Sequence, residues 1–440
     1  MVPGVGLEAD ATSAATKSRP IAWDQLCTPA ESNEAGRVIA DPGSALRTST
    51  PDAVMSRVEP YLPDYGITRV AHLTHLDHVG IPVHTAHKPA GKSLSNGSGK
   101  GVTPQASRTS AIMEAVEQTY WEDSPITRIW ATQDDLERDG VAHVPGDRVA
   151  MIRGNLWHPG LPIQWTPMTD VSDGCEVLVP ADLVGLPWRV GSRTVALTHM
   201  CGSNGLASGN NVIEAILSGL TEVMERDAVA MWAAGSDAHL PSEALDPDLM
   251  GARFGEPLVT LLDKIRAARL ELSVFDFTGE LGLPTYKALL TEPGVSGVGS
   301  YSGYGASLDP GIALVRAVTE AVQARGLIIA GARDDQFRCG RDASRLTSQH
   351  SWVHRADQSL DPVARPNLST GALTTDVEQL ITMLGDAGLP QVLVHRYTEP
   401  GDPAQVVRVV VPELEGYMFA NYTPGIRAAR LIAARTGGLR

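Results

Sequence analysis

The sequence predicts an α/β fold of mixed sheets and helices, and three observations lead there. Short runs rich in β-branched residues alternate with longer helical patterns. Apolar residues make up 43% of the 440 and charged residues 20%, which suits a buried core and not a disordered chain. An acidic pattern recurs three times on helical segments. The length fits one large α/β domain or two of ordinary size.

Residues 1–65 are rich in Pro, Ala and Ser and read as a loosely ordered extension with one or two short helices. Residues 66–440 carry the patterned region. Lys92 to Gly101 is dominated by glycine and serine and reads as a loop. Strands are expected at 149–153, 194–199, 272–277, 286–291, 391–395 and 406–411, and helices at 104–122, 211–233, 310–330 and 375–387.

The net charge of −15 gives no basic footprint for nucleic acid. No stretch approaches about 18 consecutive apolar residues, so no membrane helix is expected, and Glu8 and Asp10 speak against a secretory signal. Cys27, Cys175, Cys201 and Cys339 form no C-x-x-C pair and read as reduced thiols of a cytoplasmic protein. His75, His78, His84, His87, His158, His199 and His239 read as structural or surface residues, since spacing alone is weak support for a metal site.

The repeat is the most informative feature. Ser110-x-x-x-Glu114-x-x-Glu117, Ser218-x-x-x-Glu222-x-x-Glu225 and Arg316-x-x-x-Glu320-x-x-Gln323 share one spacing. A turn-rich segment precedes each: Gly99-Lys100-Gly101, Gly209-Asn210 and Gly305-Ala306-Ser307. Positions i, i+4 and i+7 share a helical face. In the second copy Glu214 extends the stripe, on a helix otherwise apolar nearly all round, with no i+4 lysine or arginine expected to neutralise it. Buried like charges are costly unless a cation or donors compensate. Carboxylate oxygens suit Mg²⁺, which also binds phosphates. Lys100, between two glycines ahead of a helix, is the candidate phosphate cation, although the Walker spacing is not met. Arg226 and Arg316 either hold phosphate oxygens or neutralise nearby glutamates.

These residues resemble the YcaO family. Ser98-Gly-Lys-Gly-Val-Thr, continuing to Ser110-Ala-Ile-Met-Glu-Ala-Val-Glu117, is similar to its first ATP-binding motif. Asn204-Gly-Leu-Ala-Ser-Gly-Asn210, with Glu214 and Glu222-Val-Met-Glu-Arg-Asp227, is similar to the second. Leu308-Asp-Pro, Arg316 to Arg325 and Gly331-Ala-Arg-Asp-Asp335 are similar to the third, and Tyr422-Thr-Pro-Gly-Ile-Arg427 to the closing segment. The similarity runs in order from about Ile67 to Ala429.

The resemblance implies a YcaO-like fold with an ATP site between the three acidic helices. Glu114, Glu117, Glu222 and Glu225 would hold Mg²⁺. Lys100, Ser110, Asn210, Glu214, Arg226, Arg316, Glu320 and Gln323 would contact ATP or orient the ligands. The implied reaction is addition of a nucleophile to a peptide carbonyl, followed by phosphorylation of the resulting oxyanion and loss of phosphate, in a precursor peptide made on the ribosome. The product would be an azoline, a thioamide or an amidine, including a macrocyclic one. The chain ends Thr436-Gly-Gly-Leu-Arg440 without the proline-rich tail of many azoline-forming members, which shifts the expectation toward a thioamide or amidine. The implied partners are the precursor peptide, a separate E1-like or TfuA-like protein, and a second copy in a homodimer. Two residues depart from the family pattern: Gln118 stands where Arg is usual, and Ser307 where His or Cys is common. A non-catalytic nucleotide- and peptide-binding subunit is the alternative those departures raise.

Overall fold

The computed structural model describes residues 21–35, 39–41, 45–186, 197–236, 243–293, 300–332, 357–361, 365–416 and 422–435. Three antiparallel sheets each end in a strand that leads into an acidic helix. Arg69–His72, Val83–His87 and Asn96–Lys100 form the first sheet, ahead of helix Pro104–Asp123. Glu271–Asp276, Thr285–Thr291 and Tyr301–Ala306 form a second sheet of the same order, ahead of helix Pro310–Ala330. Between them in sequence, Leu206–Gly209 is the terminal strand of a six-stranded sheet, bonded to Gln405–Val410 and leading into helix Val212–Gly235.

Local chemistry starts each helix where it does. Thr103 accepts from Ala106 N, Asn211 from Glu214 N, and Asp309 from Gly311 N and Ile312 N. Pro104 and Pro310 take the first helical position, where no N–H is needed. The middle helix is apolar because it lies in the main core, with Ile213, Ile216, Leu220 and Met224 buried against Leu380, Leu384, Val407 and Val409.

The expected α/β class holds, and the helices fall where the periodicity places them, the fourth at Leu373–Asp386. The strands expected at 272–277, 286–291, 391–395 and 406–411 are found at Glu271–Asp276, Thr285–Thr291, Leu393–Arg396 and Gln405–Val410. The strand expected at 149–153 shrinks to Met151–Ile152, which pairs with Tyr422–Thr423. Of the run 194–199, residues 194–196 lie outside the described residues, and His199 forms a single bridge to Met151. Cys339, His239, residues 333–335 and residues 436–440 also lie outside them.

The reading of Lys92–Gly101 as a loop is corrected. Asn96–Lys100 is a strand paired with Val83–His87 from Asn96↔His87 to Lys100↔Val83. Its glycines are there for close approach, not for turning. A Cβ on Gly97 would stand 2.5 Å from Ala115 N, and one on Gly99 would collide with the backbone of Ser107 and Ala111. Gly303 and Gly305 meet the backbone of Ala313, Ala317 and Ala321 in the same way. The segments that precede the acidic helices are therefore strands packed directly on them.

Replacing Gly99 with Ala should destabilise the protein by ~1–3 kcal/mol or more in urea or guanidinium unfolding, because the methyl meets backbone that cannot move aside. Gly385, exposed within helix Leu373–Asp386 with open space at its Cβ position, is the control: Gly385→Ala should stabilise by about 0.5–1 kcal/mol.

Candidate functional site

The three acidic helices border one cavity of about 640 Å³. All twelve candidate residues line it: Lys100, Ser110, Glu114 and Glu117 from the first sheet and helix, Asn210, Glu214, Glu222, Glu225 and Arg226 from the second, and Arg316, Glu320 and Gln323 from the third. Each helix turns its small-residue face to the glycine strand and an adjacent face to the cavity.

The six glutamates in the wall are compensated unequally. Glu214 is 1% exposed and saturated by the chain itself. It accepts from Arg47 Nη1 at 2.8 Å, Thr48 N at 2.9 Å, Thr48 Oγ1 at 2.8 Å and Asn210 Nδ2 at 3.0 Å. Burial alone would raise its pKa, but Arg47, Thr48 and Asn210 outweigh that and hold it below the usual carboxylate range. Glu320 behaves alike: burial is outweighed by its ion pair with Lys100 and by the Tyr304 N–H at 3.1 Å. Glu222 pairs with Arg226 at 2.8 Å. That pair is spaced i,i+4, so the expectation that the stripe has no such partner is corrected, and Arg226 neutralises a neighbour.

Glu117 and Glu225 are held by neutral donors. Glu117 accepts from Ser208 Oγ at 2.6 Å, and Glu225 from Ala306 N at 2.8 Å. Burial, with Glu114 and Glu222 nearby, pushes Glu117 up to about 8 against the Ser208 bond. Burial and the adjacent Glu320 push Glu225 up to about 7, partly offset by Arg316 and Lys100. Among the described residues, no three acidic, His or Cys side chains already converge on one point. The donor set nonetheless suits a hard cation: carboxylates from two helices face one space, and two of them ionise reluctantly because they are buried with other carboxylates nearby. Arg316 lines the same cavity, and its buried Nε has no hydrogen-bond partner among the described residues.

Sequence reasoning missed Arg47 and Arg57. Arg47 reaches Glu214 and the Ser208 carbonyl from the Pro/Ala/Ser-rich extension, and Arg57 donates to Asn210 Oδ1. No spacing in the extension marks them. Of the two departures, Gln118 lines the cavity, donating to Asn96 O at 3.3 Å while its Oε1 has no partner among the described residues. Ser307 lies off the cavity wall, and its hydroxyl accepts from Asp309 N at 3.2 Å. His84 and His199 are buried and bonded, to Ser107 Oγ and Gly146 O, as structural residues are.

Basic side chains that suit phosphate and carboxylates that suit a cation thus share one cavity between glycine strands and acidic helices. The family model described as YcaO cyclodehydratase, ATP- and Mg²⁺-binding, matches residues 98–415, and the chain belongs to the YcaO family. ATP and Mg²⁺ are thus its cofactors, as the motifs indicated. A protein of Rhizobium leguminosarum bv. trifolii, named only for its place in the tfuA 3′ region, is 34% identical over 398 residues, covering 88% of this chain and 93% of that protein. A heterocyclase in complex with substrate and cofactor matches with a TM-score of 0.72 at 22% identity, over 94% of this chain and 59% of the other. YcaO from Methanopyrus kandleri bound with AMPPCP and Mg²⁺ matches at 0.64 and 24% identity, over 87% of this chain and 95% of the other. These two likenesses show the fold. No described helix is long and apolar enough to cross a membrane.

The raised carboxylates set a pH dependence. In the metal-free protein, Glu117 and Glu225 keep protons that the unfolded chain has lost, between about pH 4.5 and 8. Stability should therefore fall as pH rises through that window. Mg²⁺ should raise the melting temperature more at pH 8.5 than at pH 6, and its binding at pH 6 should release up to about two protons, readable by calorimetry in buffers of different ionisation enthalpy.

Proposed function

We propose that the protein activates backbone amides of a ribosomally made precursor peptide by ATP-dependent O-phosphorylation. The observation that carries this reading is the convergence of all twelve motif residues on one cavity, in which burial and neighbouring carboxylates make Glu117 and Glu225 reluctant to ionise. In this reading Glu114, Glu117, Glu222 and Glu225 hold Mg²⁺, which when bound offsets charge on the phosphates and on the developing oxyanion. Lys100, Arg226 and Arg316 supply cationic donors, and Ser110, Asn210, Glu320 and Gln323 neutral or orienting contacts. Glu214, its acceptors already occupied, fixes Asn210 and Arg47 in place and acts as a positioning residue. Residues 66–440 make up the catalytic unit, to which the preceding segment adds Arg47 and Arg57.

The work of such a site is to position the reactants and pre-orient charge. The nucleophile decides the product: a Cys, Ser or Thr side chain gives an azoline, sulfide a thioamide, an amine an amidine. The relative named for the tfuA 3′ region supports a TfuA-like protein as the partner.

Glu225→Gln keeps an oxygen to accept from Ala306 N and removes one charge, so the fold should persist. Calorimetry of ATP with Mg²⁺ should show binding to the wild type and a loss of at least ~10-fold in the variant, with ADP formation abolished. Equal binding and equal turnover in the two proteins would remove Glu225 from the site.

A further inference from the structure

Lys287 does not line the cavity; it lies on Thr285–Thr291, the middle strand of the second sheet, opposite Phe275 on one side and Tyr304 on the other. Its ammonium sits 5.6 Å from the Tyr304 ring centre and 5.8 Å from that of Phe277, and Phe277 stacks on Trp232 at 4.4 Å. Lys287, Tyr304 and Trp232 are each half-buried and form an aromatic ledge around the lysine. Among the described residues Lys287 has no hydrogen bond and no carboxylate partner. Ring faces compensate only part of the hydration a lysine loses, and an anion would compensate more. Burial lowers its pKa to about 8.

The ledge adjoins the carboxylates. Tyr304 N donates to Glu320, and Ala306, two residues along, donates to Glu225. Trp232 stands seven residues, two helical turns, beyond Glu225 on the same helix. The strand Tyr301–Ala306 and the helix Val212–Gly235 thus connect the Lys287 ledge to the carboxylates, at the end away from Arg47 and Glu214.

We propose that Lys287, with Trp232, Phe277 and Tyr304, forms the acceptor-peptide subsite, in which the lysine ammonium binds the oxygen of the amide being activated. This rests on the amide-activation reading and names its peptide side. The nucleophile's lone pair forms the bond to the carbonyl carbon, and the C=O π pair moves to oxygen. That oxygen takes the γ-phosphoryl group, the bond to the ADP oxygen breaks, and the nucleophile's proton passes to solvent. Lys287 donates a hydrogen bond to the oxyanion throughout and keeps its own proton, so its work is electrostatic.

The test uses the full chain with AMPPCP, Mg²⁺ and a pool of N-acetylated hexapeptide amides of randomised sequence. Trace acetylation by acetic anhydride at pH 8, read by mass spectrometry, should fall by at least about threefold at Lys287 when the pool is added and stay unchanged at Lys264. With ATP, Lys287→Met should bind ATP and Mg²⁺ within about twofold of the wild type, yet lose roughly 100-fold of pool-dependent ADP formation, with Lys287→Arg recovering part. Nucleotide binding without protection of Lys287, or a Lys287→Met protein as fast as the wild type, overturns the inference and leaves the amide-activation reading standing. A wild type that binds no ATP and Mg²⁺ overturns that reading, and the inference with it.

Discussion

The close contact between glycine strands and acidic helices determines where every functional side chain points. Gly97 and Gly99 let helix Pro104–Asp123 lie with Ser107, Ala111 and Ala115 against the strand backbone. Successive residues are rotated by about 100° around a helix, so Ser110, Glu114 and Glu117 then face sideways into the cavity. Helix Pro310–Ala330 repeats the arrangement: Ala313, Ala317 and Ala321 meet Gly303 and Gly305, and Arg316, Glu320 and Gln323 turn to the same space. A methyl group on the strand would push the helix off, and the carboxylates would move with it. The packing that forms the core is thus the packing that aims the site.

Aiming six carboxylates into one space is costly, and the chain offsets the cost unevenly. Glu214, Glu222 and Glu320 have basic partners in Arg47, Arg226 and Lys100. Glu117 and Glu225 accept hydrogen bonds from a hydroxyl and a backbone N–H and feel basic side chains only at a distance, and both hold protons at pH values where an exposed glutamate would not. Full neutralisation would have stabilised the fold more, but it would leave no demand for a cation. The shortfall is where binding energy for metal and nucleotide can be expressed.

The repeat was legible because both its periods are local. Helical spacing put three acidic segments in register, and the motifs carried the family. The strand Asn96–Lys100 was hidden because glycine and serine carry no β propensity, although the alternation Gly97-x-Gly99 has the period of a strand with one bare face. Arg47 and Arg57 were illegible for another reason. Their partners Glu214 and Asn210 lie more than 150 residues away, and a basic residue in a Pro-rich extension looks the same whether it faces solvent or a buried carboxylate. Arg226 was the opposite case: its partner is one helical turn away, and i,i+4 spacing alone predicts the pair.

Helix Val212–Gly235 gives the site a direction. At its N-terminal end Glu214 is closed off by Arg47, Thr48 and Asn210 and has nothing left to offer a ligand. Two turns on, Glu222 and Glu225 face the under-neutralised part of the cavity. Two turns further, Trp232 stacks on Phe277 beside an ammonium that finds no anion among the described residues. The strand Tyr301–Ala306 joins the last two regions, with glycines on the face that meets the third helix and Tyr304 on the face that meets Lys287. Along some 27 Å of one helix (at about 1.5 Å per residue) the chain passes from satisfied charge, through carboxylates that need a cation, to a cation that needs an anion. A nucleotide bearing Mg²⁺ would suit the middle of that series, and the proposed peptide oxygen its end.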